Sequence, residues 1–232
     1  MRHLPPVGLP LTTAHTWGSL SGIVSPMDKR KLLKNRLEEF LPGQSIQLWN
    51  SGRSALYQLL RACRSKRPDR TEVLIAGYTC WSIPAAVLRA GLKIRLVDID
   101  PHTLDFDGDS LASVEAGNLL AVVSHLLLGY PNNMSALEEM AGRSGAFLID
   151  DAAQGLGSTL DGRPIGTFGD GGILSFGRGK CLPALGGGAA IFPRNGELLS
   201  AVEPPPIKGH KGAKRFAAAI AHQLFFPPER YH

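Results

Sequence analysis

The sequence predicts an α/β fold, a three-layer sandwich with a mostly parallel sheet covered on both faces. Three observations predict it. From residue 72 onward short apolar runs alternate with helical patterns: EVLIA, KIRLVDI, LLAVVS and AFLID are the runs. EVLIA, LLAVVS and AFLID are continuously apolar but for one end residue, as in strands buried on both faces. Gly52, Tyr78, His125, Asp151 and Ser175 all fall near proposed element ends, on the side expected for a site in such a sheet.

Taken in order, residues 1–26 are rich in Pro, Gly, Thr and Ser and read as an extended arm. Asp28 is placed to cap a helix running to about residue 41, with Leu32, Leu33, Leu37, Phe40 and Leu41 as its apolar face. Pro42 and Gly43 stop it. The run 46–49 leads into NSGRSALYQLLRAC, a turn at Asn50 to Gly52 followed at once by a helix carrying Leu56, Leu59 and Leu60 inward. A turn that opens directly into a helix is either an ordinary N-cap or an anion site made of unpaired N–H groups. Strands follow over 72–76, 93–99, 119–124 and 146–150, with helices over 83–90, 109–115 and 135–144. Ser135 with Glu138 has the spacing of a capping box. Beyond residue 196, EPPPIKGHKGAK reads as a linker and 214–226 as a helix apolar on most sides, which calls for cover. The expected division is therefore 1–45 arm and helix, 46–196 core domain, and 197–232 linker and apolar helix.

The totals narrow the class. With 44% hydrophobic and 19% charged residues the 232-residue chain supports a packed core. The net charge of +5 comes partly from two basic clusters, at 29–36 and 208–215, that lack interleaved aromatics; they read as solvated helix faces, not a nucleic-acid surface. Cys63, Cys80 and Cys181 are odd in number and lack CxxC spacing, which suggests neither a disulfide framework nor a zinc site. No apolar run has the length of a membrane span, and prolines interrupt the N-terminus where a signal peptide needs its apolar core, so a cytoplasmic protein is expected.

The chemistry concentrates in residues 148–192, LIDDAAQGLGSTLDGRPIGTFGDGGILSFGRGKCLPALGGGAAIF. LSFGRGKC lacks the first Gly and the final Ser or Thr of a phosphate-binding P-loop. DFDGDS, with Asp105, Asp107 and Asp109, has its glycine misplaced for a calcium loop. No GxGxxG follows the first strand, and no metal site is expected. What remains is Asp151, Gln154, Ser175 and Lys180, with Gly52, Arg53, Ser54, Cys80 and His125 also near the proposed carboxyl ends of strands or starts of helices, where sites lie in such sheets. A lone loop lysine is usually a solvated charge and a lone Asp at a strand end is often a cap. In combination they match what pyridoxal 5'-phosphate requires: a lysine to hold its aldehyde as a Schiff base, a carboxylate to keep the ring nitrogen protonated, and donors for its phosphate.

The segments NSGRSAL, GYTCWS, LVDIDPHTLDFD, SHLLLGYPNNMSALEEMA, LIDDAAQGLGS, GRPIGTFGDGGILSFGRGK and LGGGAAIF resemble, in that order, the large domain of the DegT-type (DegT/DnrJ/StrS) nucleotide-sugar aminotransferases. The resemblance covers about residues 48–193. It implies the aspartate-aminotransferase-like, PLP-dependent transferase fold of the fold-type I enzymes. It assigns Lys180 as the Schiff-base lysine, Asp151 as the partner of the ring nitrogen, Gln154 as the residue near the ring oxygen, and Ser175 with Arg53 and Ser54 as the phosphate cup. His125 would lie near the ring, although SHLLLG is one residue longer than the usual spacing. Cys80 stands where the family usually has a ring that stacks on the cofactor, with Tyr78 and Trp81 flanking. The expected activity is transfer of an amino group from an amino-acid donor, glutamate, to a keto-sugar that is nucleotide-linked, by a homodimer. Two rival readings come with it. A truncated or degenerate non-catalytic homologue is suggested by the missing small C-terminal domain and by Cys80. A sugar dehydratase would carry histidine in place of Lys180.

Overall fold

The computed structural model describes residues 28–177, 179–182 and 186–203. The arm expected over 1–26 and the apolar helix expected over 214–226 lie outside the described residues.

Seven strands form one sheet in the order β1-β9-β8-β5-β4-β2-β3. They are β1 (Gln44–Trp49), β2 (Glu72–Ala76), β3 (Lys93–Val97), β4 (Leu119–Val123), β5 (Phe147–Asp151), β8 (Gly171–Ser175) and β9 (Gly188–Pro193). Only β9 runs against its neighbours, pairing antiparallel with both β8 and β1. Two short strands, β6 (Thr159–Leu160) and β7 (Arg163–Pro164), form a separate hairpin. The connecting helices are α1 (Lys29–Phe40), α2 (Gly52–Lys66), α3 (Ser82–Arg89), α4 (Gly108–Ala112) and α5 (Met134–Ser144).

Alternation along each strand splits the core in two. Val73, Ile75, Ala121, Val123 and Ile149 face one side, where α2 and α3 cover them with Leu56, Leu59, Leu60 and Val87. Leu74, Val122, Leu148 and Leu174 face the other side, under α1 and α5, which supply Leu37, Leu137 and Met140. This is the three-layer arrangement the apolar runs predict.

The sequence reading needs several corrections. The helix at 135–144 starts one residue earlier, and its cap is Asn133, whose side chain accepts from the Ala136 N–H; Ser135 lies inside the helix and no capping box forms. Asp28 does cap α1, but Leu32 and Phe40 remain exposed and only Leu37 is buried within the helix. An amphipathic pattern at the end of a chain segment does not say how much of its stripe a neighbour will cover. β3 lies at the sheet edge, where Leu96 is exposed and Arg95 pairs with Glu72 on β2 at 2.8 Å. β1 begins at Gln44, and Leu198 and Val202, flanking a 3-10 turn at Leu199–Ala201, are buried against the α2 side.

One close approach fixes the geometry of the site. β9 passes so near the start of α2 that a Cβ on Gly188 would collide with the Gly52 amide nitrogen, the Ser51 carbonyl carbon and the Leu174 carbonyl oxygen. All three are main-chain atoms, so no rotamer change relieves the contact. Gly188→Ala is therefore expected to lower the free energy of unfolding by about 2–3 kcal/mol, measured by urea denaturation. An unchanged midpoint would contradict this packing.

Candidate active site

The carboxyl ends of β2, β4, β5 and β8 and the start of α2 surround one cavity of about 280 Å³, close to the lower bound of roughly 300 Å³ for small-molecule sites. It lies where the strand order turns back: the chain moves outward from β2 to β3, then returns to the other side of β2 for β4. Gly52, Arg53, Cys80, His125, Asp151, Gln154, Ser175 and Lys180 all line it. Eight positions spread over 129 residues of sequence thus meet in one place.

Ser54 is the exception. Its hydroxyl is 2.8 Å from that of Ser51, its N–H donates to the same Ser51 oxygen, and its side chain lines a neighbouring cavity with Trp49 and Tyr57. Ser51 is the N-cap of α2, and capping consumes the Ser54 donor that the phosphate cup was to use. The amides of Gly52 and Arg53, the first two of the helix, have no partner within it and point where an anion is favoured. The Arg53 guanidinium stacks 3.9 Å over the Trp81 ring.

Asp151 ends β5 and is buried. Burial pushes its carboxyl up to about 6, against the opposing pull of the Ala153 N–H, which donates to Asp151 Oδ1 at 2.9 Å, and of the Lys180 charge. Asp150, next to it, adds to the upward push. Lys180 sits in a turn, its N–H donating to the Gly177 carbonyl at 3.3 Å. The Cys181 thiol donates to the Gln154 carbonyl at 3.2 Å, tying the lysine loop to the segment after β5.

His125 reaches the cavity with both ring nitrogens engaged elsewhere. Nε2 lies 3.0 Å from the Leu104 carbonyl, which only accepts, so Nε2 carries the proton. Nδ1 then accepts from the Asn132 amide at 3.4 Å. Burial lowers the pKa of the ring, consistent with this neutral tautomer. Asn132 is held in turn by Asp105, at 2.6 Å. Asp105 of the DFDGDS run therefore serves to brace the histidine. Among the described residues no group of three or more His, Cys, Asp or Glu is placed to hold a metal.

Cys80 is exposed, with its thiol 3.1 Å from the Ser82 hydroxyl. Trp81 is also exposed and is covered on one face by Arg53. Tyr78 lines the cavity. The apolar walls, Leu56, Ile83, Leu126 and Ile173, escape a motif-based reading because nothing but burial distinguishes them from core residues. Ser124 and Asp150, which support Asp151, were open to detection: a polar residue directly after LLAVV, and a second acid in FLIDD, are unexpected where apolar strands end.

The donor set fits pyridoxal phosphate: a buried acid, a lysine, an amide side chain, a serine hydroxyl and free helix-start amides face one small cavity. The family model for the DegT/DnrJ/EryC1/StrS aminotransferases matches residues 21–220. The chain belongs to this family. Over 143 residues it is 35% identical to L-glutamine:2-deoxy-scyllo-inosose aminotransferase of Streptomyces kanamyceticus, covering 61% of this chain and 33% of that one. Over 151 residues it is 32% identical to UDP-N-acetyl-3-dehydro-alpha-D-glucosamine 3-aminotransferase of Acidithiobacillus ferrooxidans, covering 64% and 40%. A solved sugar aminotransferase from Micromonospora echinospora superposes with a TM-score of 0.74 at 26% identity, over 86% of this chain and 56% of that one. The chain spans less than half the length of these two curated relatives. The fold is the aspartate-aminotransferase-like large domain of PLP enzymes. No helix among the described residues is long and apolar enough to cross a membrane.

The raised pKa of Asp151 gives a signed expectation. Its uncharged form is favoured in the fold, so its contribution to stability is fully present below the unfolded value of 3.8 and is lost as pH rises through about 6. Asp151→Asn should therefore stabilise the cofactor-free chain at pH 8, by up to about 3 kcal/mol. The difference should vanish below about pH 4, as read by urea denaturation at each pH. A variant less stable than wild type at pH 8 would contradict the burial argument.

Proposed function

We propose that the chain forms the cofactor-binding part of a pyridoxal-phosphate aminotransferase that moves an amino group from glutamate to a nucleotide-linked keto-sugar, for polysaccharide or glycosylated-metabolite synthesis. The observation that carries this is the convergence of Asp151, Gln154, Ser175 and Lys180 with the start of α2 on one cavity. The relatives' names support the substrate class. The Streptomyces relative is named for glutamine as donor, so both donors belong in the test. A homodimer is part of the proposal.

Pyridoxal phosphate, when bound, supplies an aldehyde that takes up the amine and a ring that accepts the electron pair released at the substrate's α-carbon. The protein's own groups do the rest. The Asp151 carboxylate holds a proton on the ring nitrogen, and that positive charge in turn favours the ionised acid. Gln154 hydrogen-bonds the ring oxygen. The Gly52 and Arg53 amides and the Ser175 hydroxyl bind the phosphate. The Lys180 amine would hold the cofactor's aldehyde and would move the proton at the substrate's α-carbon. His125, with both nitrogens engaged, forms cavity wall and takes no part in proton transfer.

Purified chain mixed with pyridoxal phosphate is expected to develop a visible absorption band that Lys180→Ala abolishes, and glutamate or glutamine should bleach it. A wild-type chain that stays colourless would overturn the cofactor reading. A band that neither donor changes would overturn the transfer reading and favour a non-catalytic homologue that retains the cofactor site.

A further inference from the structure

We infer that Asp150, which does not reach the cavity, is a positioning residue that seats Asp151 through a clamp built with Ser124. The inference rests on the cofactor site proposed above and concerns residues outside it.

Asp150 and Asp151 are consecutive on β5, so their side chains point to opposite faces of the sheet. Asp151 turns toward the cavity, and Asp150 turns into the interior, where it is 2% exposed. A buried carboxylate needs its lone pairs satisfied, and this one has three donors. The Ser124 hydroxyl donates to Oδ1 at 3.1 Å. The Gly166 and Phe168 amides, from the connection between β7 and β8, donate to Oδ2 at 2.6 and 3.3 Å. One side chain thus joins the end of β4, the end of β5 and the approach to β8.

The Ser124 hydroxyl has a second role. It accepts from the Asp151 N–H at 3.0 Å. Its proton is committed because a carboxylate only accepts, so its lone pair is left facing the Asp151 amide. The polarity of the relay is fixed in sequence: Asp150 orients the hydroxyl, and the hydroxyl holds the main chain of Asp151. A second tie, from the Ala153 N–H to Asp151 Oδ1 at 2.9 Å, orients the side chain. Together they hold the main chain and the carboxylate by hydrogen bonds with neutral groups. Hydrogen-bonded chains of this kind strengthen one another in a low-dielectric interior. Gly166 can approach Asp150 because its φ of +97° turns its amide inward, at a spot where a Cβ would strike Ala152 and Ile191.

Four full-length variants test this: Ser124→Ala, Ser124→Thr, Asp150→Asn and, as a control in the core away from the clamp, Leu111→Ala. Equilibrium dialysis gives the dissociation constant for pyridoxal phosphate, circular dichroism of the bound cofactor reports its seating, and amide hydrogen exchange follows Asp151 in the cofactor-free chain. Ser124→Ala and Asp150→Asn should each weaken cofactor binding by about tenfold or more, the effect of a lost hydrogen bond to a charged group, and change the dichroic band. Ser124→Thr, which keeps the hydroxyl, should restore binding to within about threefold of wild type by the same argument. Leu111→Ala should lower the melting temperature without moving the dissociation constant. The inference is overturned if Ser124→Ala and Asp150→Asn bind as wild type does, or if Leu111→Ala weakens binding as much as they do. If wild type binds no cofactor, the proposed function fails by itself. The clamp then stands or falls on whether Asp151 amide exchange accelerates about tenfold or more in Ser124→Ala.

Discussion

Two adjacent acids at the end of one strand set the terms for the rest of the molecule. Burying even one carboxylate without a counter-charge is costly, and the usual outcome is a raised pKa or a dense set of hydrogen bonds. Here the strand's alternation turns the two acids to different surroundings, and burial raises the pKa of both. Asp150 faces the interior and is met by three donors, whereas Asp151 faces the cavity, retains one amide donor and is pushed up to about 6. The inward acid is a structural tie. The outward acid keeps one donor to its carboxylate, the Ala153 amide.

That arrangement depends on the sheet around it. β5 is flanked by β4 and β8, all three parallel, so their carboxyl ends open on the same side. The antiparallel β9 then brings a glycine against the start of α2, close enough that any side chain would displace it. The cavity is therefore bounded by main chain at the start of α2 and by buried side chains at the end of β5. His125, Gln154 and Lys180 reach it from the connections that follow β4, β5 and β8, outside regular structure.

The alternation of helix and strand was legible because a strand covered on both faces is apolar throughout, a local property of five residues. The site residues were legible for a different reason. Asp151, Ser175 and Lys180 are polar groups at points where apolar runs end, and their order along the chain matches one family. Ser54, near a helix start, has the chemistry of a cap partner as well as of a phosphate donor, and in the fold its amide and hydroxyl both meet Ser51. The cap at Asn133 was misread for a similar reason: Asn133 and Ser135 both have the chemistry, and the path of the incoming chain chose Asn133.

The sequence by itself determined the class of fold, the family and most of the groups facing the cavity, because periodicity and motif order are carried by near neighbours along the chain. Tertiary structure alone decided what each polar group is spent on. It committed both nitrogens of His125 to Leu104 and Asn132, drew Asp105 into bracing that pair, and turned Asp150 inward to Ser124, Gly166 and Phe168. Such assignments rest on partners 7 to 27 residues away in sequence, and a hydrogen bond is specified by the position of both its atoms.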